Sequence, residues 1–412
     1  MDIRALRDGE TTECVDLICL AFSEKSRRRF ENQFIGDSSF ELEQSRVCIV
    51  NGRIVSHVRV SDRPIHIGFA VVRIGGMGAV ATHPDYRERG YSTALLWDAV
   101  RYMEREQYDV SMLFTGLKEH YGKIGWACFP QHHFSLQPAE PPTLDTPYSL
   151  RDFDEARDLG AVIHIYNRYN EERTGAMARP RGYWDDPHSR IMGVLPAWVV
   201  ELDGQVVAYQ RGTATHFGEV AYLPKHAGAV APICARAMRE ARELNASEQA
   251  QPSPTGPKSE QHIGGHLPKS HPALELLAQW SRRPIHHEES ESMMLRAIRL
   301  VPLMQKVAPV LERRLSQAGL LPRRTTVCLL EMGQAARIVI DGNHLHVEEG
   351  ATGDVVLEPG TRYFFKLLLG DSTFTQLREL IPGADAVSPQ DAALLDVIFP
   401  EQEAVYYGCD HF

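Results

Sequence analysis

Alternating apolar and polar positions in the first third of the chain predict antiparallel hairpins followed by a strand–helix–strand unit. Two β-rich runs flank the dipeptide Asn51-Gly52, which is a strong signal for a tight hairpin turn. A further β-rich run covers 65–84, and the apolar residues after it recur at helical spacing, which predicts a helix of about four turns from Ser92. Two more strands are predicted at 109–116 and 126–136.

A second unit follows the stretch 137–147, whose four prolines predict a linker. Its pattern predicts a hairpin that turns at Asp203-Gly204 and a helix over 227–243, but no Arg-x-x-Gly precedes that helix. The polar, Pro/Ser-rich stretch 245–261 predicts a loop.

A third unit begins near Met294, with an amphipathic helix over 300–320 followed by β-rich segments and two more helices. The length of 412 residues also predicts more than one domain, because single hydrophobic cores stop growing at about 250–300 residues. We therefore predict a mixed α/β (α+β) fold with three domains, at 1–147, 148–293 and 294–412.

The charge balance narrows the functional classes. The chain has 44 lysines and arginines against 54 aspartates and glutamates, a net charge of −10. This argues against a duplex nucleic-acid binder, because such proteins need a large basic face. The balance is compatible with a cationic substrate such as a polyamine, although a mildly acidic surface mostly serves solubility.

Cysteine use and hydropathy indicate the compartment. The seven cysteines form no Cys-x-x-Cys pair, as is typical of reduced thiols in a cytosol. The N-terminus is polar and no apolar run reaches the length of a membrane span. We expect a soluble cytoplasmic protein that binds neither nucleic acid nor membrane.

The range 78–96 predicts an anion-binding turn. Pro84 ends the strand that enters it, and the turn at 87–93 leads into a helix whose first N–H groups lack partners and attract negative charge. Gly90 permits a positive φ in that turn. Small residues before the turn allow another group to approach the strand backbone closely; they are Gly78, Ala79 and Ala81.

This strand–Pro–Arg-x-x-Gly-x-Ser–helix order resembles motif A of the GNAT superfamily of N-acetyltransferases, with Ser92 where members carry Gly or Ala. The resemblance implies that backbone amides of the turn hold the pyrophosphate of acetyl-CoA. It also implies that an N–H near Val80 polarises the thioester carbonyl and stabilises the tetrahedral oxyanion. The residues it assigns to the coenzyme are Val80, Ala81, Thr82, Arg87, Glu88, Arg89, Gly90, Tyr91, Ser92 and Thr93.

Tyr121, in a Gly-flanked loop after the strand at 109–116, is the candidate general acid. Members of the superfamily commonly have a tyrosine near the coenzyme sulfur in this region. When an amine attacks a thioester, the leaving thiolate needs a proton, and a phenol with a pKa of about 10 can return one to a thiol of about 8.5. The alternative is that Tyr121 only packs under its loop.

Over essentially its full length the chain resembles acetyltransferases of the Eis (enhanced intracellular survival) type, through the segments 80–96, 120–126, 132–138 and 394–412. This implies tandem GNAT-like domains with mostly antiparallel sheets, the second degenerate, and a sterol-carrier-like α+β domain at the C-terminus. It implies a homohexamer that acetylates amines, including aminoglycosides and lysine side chains. The carboxylate of Phe412 would be the general base, and His411 replaces an acidic residue that can help family members to bind cationic substrates.

Two classes of function stay open at this stage. The first is an acetyl-CoA-dependent N-acetyltransferase without a metal, in which a primary amine (aminoglycoside, polyamine or lysine-like) attacks directly in a ternary complex. The second is a non-catalytic acyl-CoA or lipid-binding sensor that uses the third domain. No covalent acetyl-enzyme is expected, because Cys48 and Cys128 lie in strand-like segments without a basic partner in sequence.

Three further features are interpreted as structural. The histidines of 262–271 and of the run 286–289 are expected in surface loops, with a metal site as the less favoured alternative. The basic run 25–30 is expected to be a solvated helix face, because Glu24 and Glu31 flank it. The glycine-rich run 75–80 is not a dinucleotide fingerprint, because extended residues rather than a helix follow it.

Overall fold

The computed structural model describes residues 1–249 and 262–412. The described residues form one long sheet, a four-stranded sheet and a short two-stranded hairpin, with helices packed on them. The elements of the first part are β1 (Asp2–Ala5), α1 (Thr11–Ala21), α2 (Arg27–Ile35), β2 (Ser45–Val50), β3 (Arg53–Asp62), β4 (Ile65–Ile67), β5 (Ala70–Val72), β6 (Ile74–Thr82), α3 (Tyr91–Arg105), β7 (Val110–Phe114), α4 (Lys118–Gly122) and β8 (Ala127–Leu136).

The remaining elements make up the second and third parts. Those of the second part are β9 (Ser149–Asp152), α5 (Glu155–Asn170), α6 (Pro187–Ile191), β10 (Trp198–Leu202), β11 (Gln205–Thr213), β12 (His216–Tyr222), α7 (Val230–Gln249), β13 (Ile263–Gly265), α8 (Pro272–Trp280) and β14 (His286–Ala297). Those of the third part are α9 (Leu300–Gln317), β15 (Arg323–Glu331), β16 (Gln334–Gly342), β17 (His344–Glu349), β18 (Val355–Leu357), α10 (Gly360–Leu369), α11 (Phe374–Leu377) and α12 (Pro389–Ile398).

Both hairpin turns predicted from the sequence are confirmed. Asn51 and Gly52 join β2 to β3 with φ angles of 52° and 77°. Asp203 and Gly204 join β10 to β11 with φ angles of 51° and 78°. Two-residue turns with positive φ at both positions match the twist of antiparallel strands, which is why Asn-Gly and Asp-Gly predict them.

One sheet of twelve strands runs through the first two parts of the chain as described. Its strand order is β1-β2-β3-β6-β7-β14-β8-β13-β12-β11-β10-β9. Most neighbours are antiparallel, whereas β6 runs parallel to β7 and β12 to β13. The sheet is therefore mixed and mostly antiparallel, as predicted.

Strand β14 ties the parts of the molecule together. It pairs antiparallel with both β7 and β8, so that Met294 lies opposite Leu113 on one side and Cys128 on the other. The strand crosses the predicted boundary between 293 and 294, and residues on both sides of that position belong to the same sheet. The division into three domains stays a prediction.

Helix α3 holds the predicted turn in place through its apolar face. Its buried positions share one cluster with residues of β3 and β6, among them Val58 and Met77. Burial of such a stripe is what fixes a helix against a sheet. The predicted apolar positions of α3 are all buried: Leu95, Leu96, Ala99, Val100 and Met103.

The third part has its own sheet, ordered β17-β16-β15-β18, and α9 buries its predicted apolar face against it. The positions are Leu303, Val307, Val310, Leu311 and Leu315. The same hydrophobic cluster includes Met112 of β7 and the last residue, Phe412. The core of the third part is therefore continuous with the first, and the C-terminus lies inside it.

Three local expectations are corrected. Helix α7 extends to Gln249 and so covers the start of the stretch 245–261, which was expected to be a loop; residues 250–261 lie outside the described part. The run 286–289 belongs to β14, where pairing with β8 overrides its polar sequence. His271 is buried, and its Nδ1 accepts from the backbone N–H of Ala273 at the start of α8. The described residues contain no group of three or more His, Cys, Asp or Glu side chains that could hold a metal.

The helices and the cysteines also bear on membrane insertion and on nucleophilic chemistry. Within 1–249 and 262–412, none of the helices combines the length and the apolarity that a membrane-spanning segment needs. All seven cysteines are free thiols. Burial raises the pKa of the thiols of Cys48 and Cys128, which makes both poor nucleophiles.

Candidate active site

Strand β6 is distorted shortly before the predicted anion-binding turn. On the β3 side, His57 pairs with Ala81. Two residues further along β3, however, Arg59 pairs with Gly78, so two residues of β6 face a single residue of β3. Ala79, one of those two, has a φ of 49°, which is uncommon for a residue with a side chain. The result is a β-bulge, a device that redirects a strand near functional sites.

The ring of His57 supports this bulge. Its Nδ1 donates to the carbonyl of Ala79 at 2.9 Å, and its Nε2 lies 3.2 Å from the hydroxyl of Ser45. Complete burial lowers the pKa of His57 to about 4, because desolvation disfavours the charged ring. His57 is therefore a neutral structural support for β6.

Beyond the bulge, β6 and β7 separate. Their parallel pairing ends with Met77 opposite Leu113, although β6 continues to Thr82. Residues 78–82 thus have no strand on the β7 side within the described chain, and most of them line a cavity. Backbone groups on such an open edge can pair with an extended ligand.

The turn at 87–93 has the backbone that the sequence predicts. Gly90 adopts a φ of 78° as the N-cap of α3, and Glu88 also has a positive φ, of 61°. The first backbone hydrogen bond within the helix runs from Ala94 to the carbonyl of Gly90. The earlier N–H groups of α3 therefore have no partner within the helix, which is the property that binds anions.

Side chains around the turn brace it. Arg87 donates through Nε to the carbonyl of Thr82 at 3.3 Å, which links the turn to the end of β6. The hydroxyl of Ser92 lies 3.1 Å from Nε2 of His120, and burial lowers the pKa of this histidine. Ser92 thus connects the turn to the residue next to the candidate acid.

The C-terminus of the chain lies against β6. A Cβ placed on Gly76 would come within 2.5 Å of the Phe412 ring, and one on Gly78 within 3.0 Å of the terminal carbonyl carbon and oxygen. Phe412 is only 9% exposed. The small residues of β6 therefore admit the chain's own terminus, whose carboxylate rests on the backbone at Gly78.

Aromatic packing holds the last residues in place. The ring of His411 stacks on Phe114 of β7 with centroids 3.8 Å apart. The hydroxyl of Tyr406 donates to the carbonyl of Asp410 at 2.6 Å. Burial lowers the pKa of His411 to about 4, so this ring is neutral at neutral pH.

A buried ion-pair network anchors the same tail to the second part of the chain. Arg179 donates to the carboxylate of Asp410 through Nε (2.8 Å) and Nη2 (3.0 Å), and to Glu219 (2.7 Å). All three side chains are fully buried, and the guanidinium lies 3.9 Å from the Tyr166 ring centroid. Removing one partner of such a network leaves a buried charge uncompensated, so it fixes the position of the tail strongly.

Tyr121 lies in α4 and faces the same cavity. It is 7% exposed, and its ring makes edge contacts with His120 and Trp126. Burial raises its pKa to about 12, because desolvation disfavours the phenolate. Tyr121 is therefore a neutral O–H donor at physiological pH.

The cavity between these elements has a volume of about 960 Å³, which is enough for a coenzyme arm and a second substrate. It brings together seven of the predicted site residues: Val80, Thr82, Arg87, Glu88, Ser92, Tyr121 and Phe412. A smaller cavity of about 330 Å³ shares the turn and adds three more: Gly90, Tyr91 and Thr93. Ala81 instead packs in the core beside α1, and the guanidinium of Arg89 lies over the ring of Tyr86.

One wall of the cavity is not predicted from the sequence. The run 25–30, interpreted as a solvated helix face, is so only in part: Arg27 pairs with Glu24 and Asp16, but Arg29 faces the cavity. No local signal distinguishes adjacent arginines, because only the packing of α1 and α2 decides which of them points inward. The cavity-lining residues that were missed include Phe22, Ser26, Arg29, Phe30, Gln33, Phe114, Leu117, His120 and His411.

The family model of the acetyltransferase (GNAT) domain matches residues 2–129. That range contains the bulged β6, the turn, α3 and Tyr121. No curated protein sequence matches the chain significantly.

Solved structures that are similar over nearly the whole chain include the following three. A probable N-acyltransferase of unknown function from Enterococcus faecalis has a TM-score of 0.71 and 16% identity, covering 98% of this chain and 97% of that one. A GCN5-related N-acetyltransferase from Anabaena variabilis has a TM-score of 0.70 and 13% identity, covering 98% of both chains. Eis1 from Mycobacterium abscessus has a TM-score of 0.62 and 16% identity, covering 99% of both chains. The predicted mixed α/β, GNAT-like fold is thereby confirmed.

Proposed function

We propose that this chain is an acetyl-CoA-dependent N-acetyltransferase that moves an acetyl group to a primary amine by direct attack in a ternary complex. One arrangement carries the proposal: the open edge of β6, the turn before α3, Tyr121 and the carboxylate of Phe412 border a single cavity. The GNAT domain match over residues 2–129 supports a transferase. Each part of the arrangement suits one task of the reaction.

The chain's own groups suit acetyl-CoA, which would supply an activated acyl carbon and a thiolate leaving group. The backbone N–H groups of 88–93 would hold the pyrophosphate, with the guanidinium groups of Arg87 and Arg89 as additional positive charge. The open edge at 80–82 would pair with the extended pantetheine arm. An N–H near Val80 would polarise the acyl carbonyl.

Tyr121 would serve as the general acid. In the reaction the amine nitrogen forms a bond to the acyl carbon, the carbon–sulfur bond breaks, and the sulfur takes up a proton. A pKa of about 12 keeps Tyr121 protonated. It also makes the phenol a weak acid, so full transfer to the sulfur requires that the same dry cavity raises the pKa of the thiol as well.

The terminal carboxylate of Phe412 would receive the proton that the amine loses. A free α-carboxylate, with a reference pKa of about 3.5, is a weak base against an alkylammonium of about 10.4. Its position against Gly78 therefore matters more than its basicity. There it can orient the amine by hydrogen bonding and pass the proton on through water.

The resemblance to Eis-type enzymes extends the proposal beyond the site. The resemblance would allow an aminoglycoside, a polyamine or a lysine-like amine as the acceptor, and the lining of the cavity decides among these amines. We also propose a sterol-carrier-like fold for 294–412 and a homohexamer in the cytoplasm. The reaction as proposed combines acyl transfer with proton transfers and needs no metal.

The test is thiol release from acetyl-CoA in the presence of a panel of amines, with coenzyme A binding measured in parallel by calorimetry. We expect coenzyme A to bind and at least one class of primary amine to give turnover. Binding without turnover on any amine, polyamine, aminoglycoside or peptide would instead indicate an acyl-CoA sensor.

A further inference from the structure

We infer that the acceptor is an amine that carries a carboxylate on an apolar or aromatic body, and not a polycation. This inference rests on the proposed function and names the substrate class of the same site. It follows from the wall of the cavity that α1 and α2 form, because residues of 21–33 line the large cavity but not the smaller one at the coenzyme turn. That wall is therefore left for the acceptor.

Part of this wall is apolar and aromatic. Phe22 and Phe30 stand with ring centroids 5.5 Å apart, and Phe22 remains 56% exposed although it is a large apolar side chain. Leu117, just before α4, also lines the cavity and is 70% exposed. Exposed apolar groups that border a cavity indicate a surface that an apolar ligand covers.

The charge on this wall is positive. Arg29 lines the cavity and makes no ion pair with any residue of the described chain. The two acidic residues of this segment, Glu24 and Glu31, pair with Arg27 instead. A guanidinium without a carboxylate partner is suited to bind a planar anion such as a carboxylate.

The cavity also offers little to a polycation. Its carboxylates are Glu88, which belongs to the coenzyme turn, and the terminus at Phe412, which faces the reacting amine. His411 lines the cavity as a neutral ring, and Arg29 is close enough to disfavour its protonation. The reacting ammonium group of a polycation would meet the carboxylate of Phe412. Its other ammonium groups would be repelled by the guanidinium of Arg29.

The test compares matched amines that differ in one carboxylate: phenylalanine with 2-phenylethylamine, and 4-(aminomethyl)benzoate with benzylamine. Spermidine serves as the polycation. The readout is kcat/KM for thiol release from acetyl-CoA by the full chain and by the R29Q, R29E and R28Q variants. Arg28 is the matched control, because it lies on the same helix, carries the same charge and does not line the cavity.

We expect the carboxylated member of at least one pair to be preferred by about tenfold or more, as for a charge-assisted hydrogen bond. R29Q should bring that ratio toward one, R29E should reverse it, and R28Q should keep it. A preference for spermidine, or a ratio that R29Q leaves unchanged, would overturn this inference while the proposed function stands. No turnover with any amine would overturn the proposed function together with this inference.

Discussion

Tyr121 owes its chemical state to burial in the wall of the cavity. With a pKa of about 12, its hydroxyl stays protonated from neutral pH to about pH 11. We expect Tyr121→Phe to lower kcat by about 10²–10⁴, the usual contribution of a positioned acid. Thiol release at saturating acetyl-CoA measures this effect.

Coenzyme A affinity is the control for Tyr121→Phe, since the phenyl ring keeps the packing against Trp126. An unchanged kcat would mean that Tyr121 is not the general acid. A loss of coenzyme binding of the same size would assign it to binding instead.

The small size of Gly76 leaves room for the ring of Phe412. A Cβ at this position would meet the ring of Phe412 at 2.5 Å, so Gly76→Ala should displace the C-terminus and lower kcat. Gly160→Ala is the matched control, because a Cβ there meets nothing within 4 Å. Steady-state kinetics of both variants provide the comparison, and equal kcat values in the two would mean that the position of Phe412 is unimportant.

Single site residues differ in how well the sequence predicts them. The turn around Gly90 is predictable because its signals lie within one short stretch, and the positive φ confirms it. Arg29 is not predictable, because its side chain reaches the cavity only through the packing of α2. The bulge at Ala79 is not predictable either, since a register shift depends on the partner strand.

At the scale of elements, the C-terminal segment connects three parts of the molecule. It leaves the third part, is fixed by Arg179 of the second, and ends on β6 of the first. Residues appended after Phe412 would have to pass through the space now taken by the carboxylate. We expect this extension to abolish turnover without weakening coenzyme A binding.

The matched control for this extension is the same peptide added before Met1, which is 74% exposed. Thiol release and calorimetric binding distinguish the two proteins. Full activity of the C-terminally extended protein would contradict a role for the terminal carboxylate.

Strand β14 marks the limit of sequence prediction at this scale. Its hydrophobic residues around Met294 give a strand signal, but nothing local reveals that it inserts between β7 and β8. Its polar beginning, 286–289, has the composition of a loop and becomes a strand only because β8 supplies hydrogen-bond partners. Local hairpins are predictable from their turns, whereas pairing between distant segments depends on the whole fold.

At the scale of the whole molecule, buried neutral histidines set the response to acid. Burial lowers the pKa of His57 to about 4 and that of His271 to about 3, against about 6.5 in the unfolded chain. Below pH 6.5 the unfolded chain therefore binds protons that the folded one does not. The stability contributed by the neutral rings is fully present above pH 6.5 and falls as the pH drops toward 4.

We therefore expect the melting temperature to decrease between pH 7 and pH 5. For each histidine the free energy of unfolding should fall by at most about 1.4 kcal/mol per pH unit. Carboxylates contribute little in this window, since their reference pKa values are about 4. Thermal scans at constant ionic strength measure the effect. A melting temperature that is flat or rises toward pH 5 would contradict it.

The most direct test of the central claim follows free coenzyme A, N-acetylated amine and the mass of the intact protein in one reaction. Direct transfer in a ternary complex predicts equal amounts of coenzyme A and acetylated amine, with no acetyl group on the protein before or after the amine is added. An acetylated protein that passes its acetyl group to the amine would contradict the account. So would release of coenzyme A without any N-acetylated product.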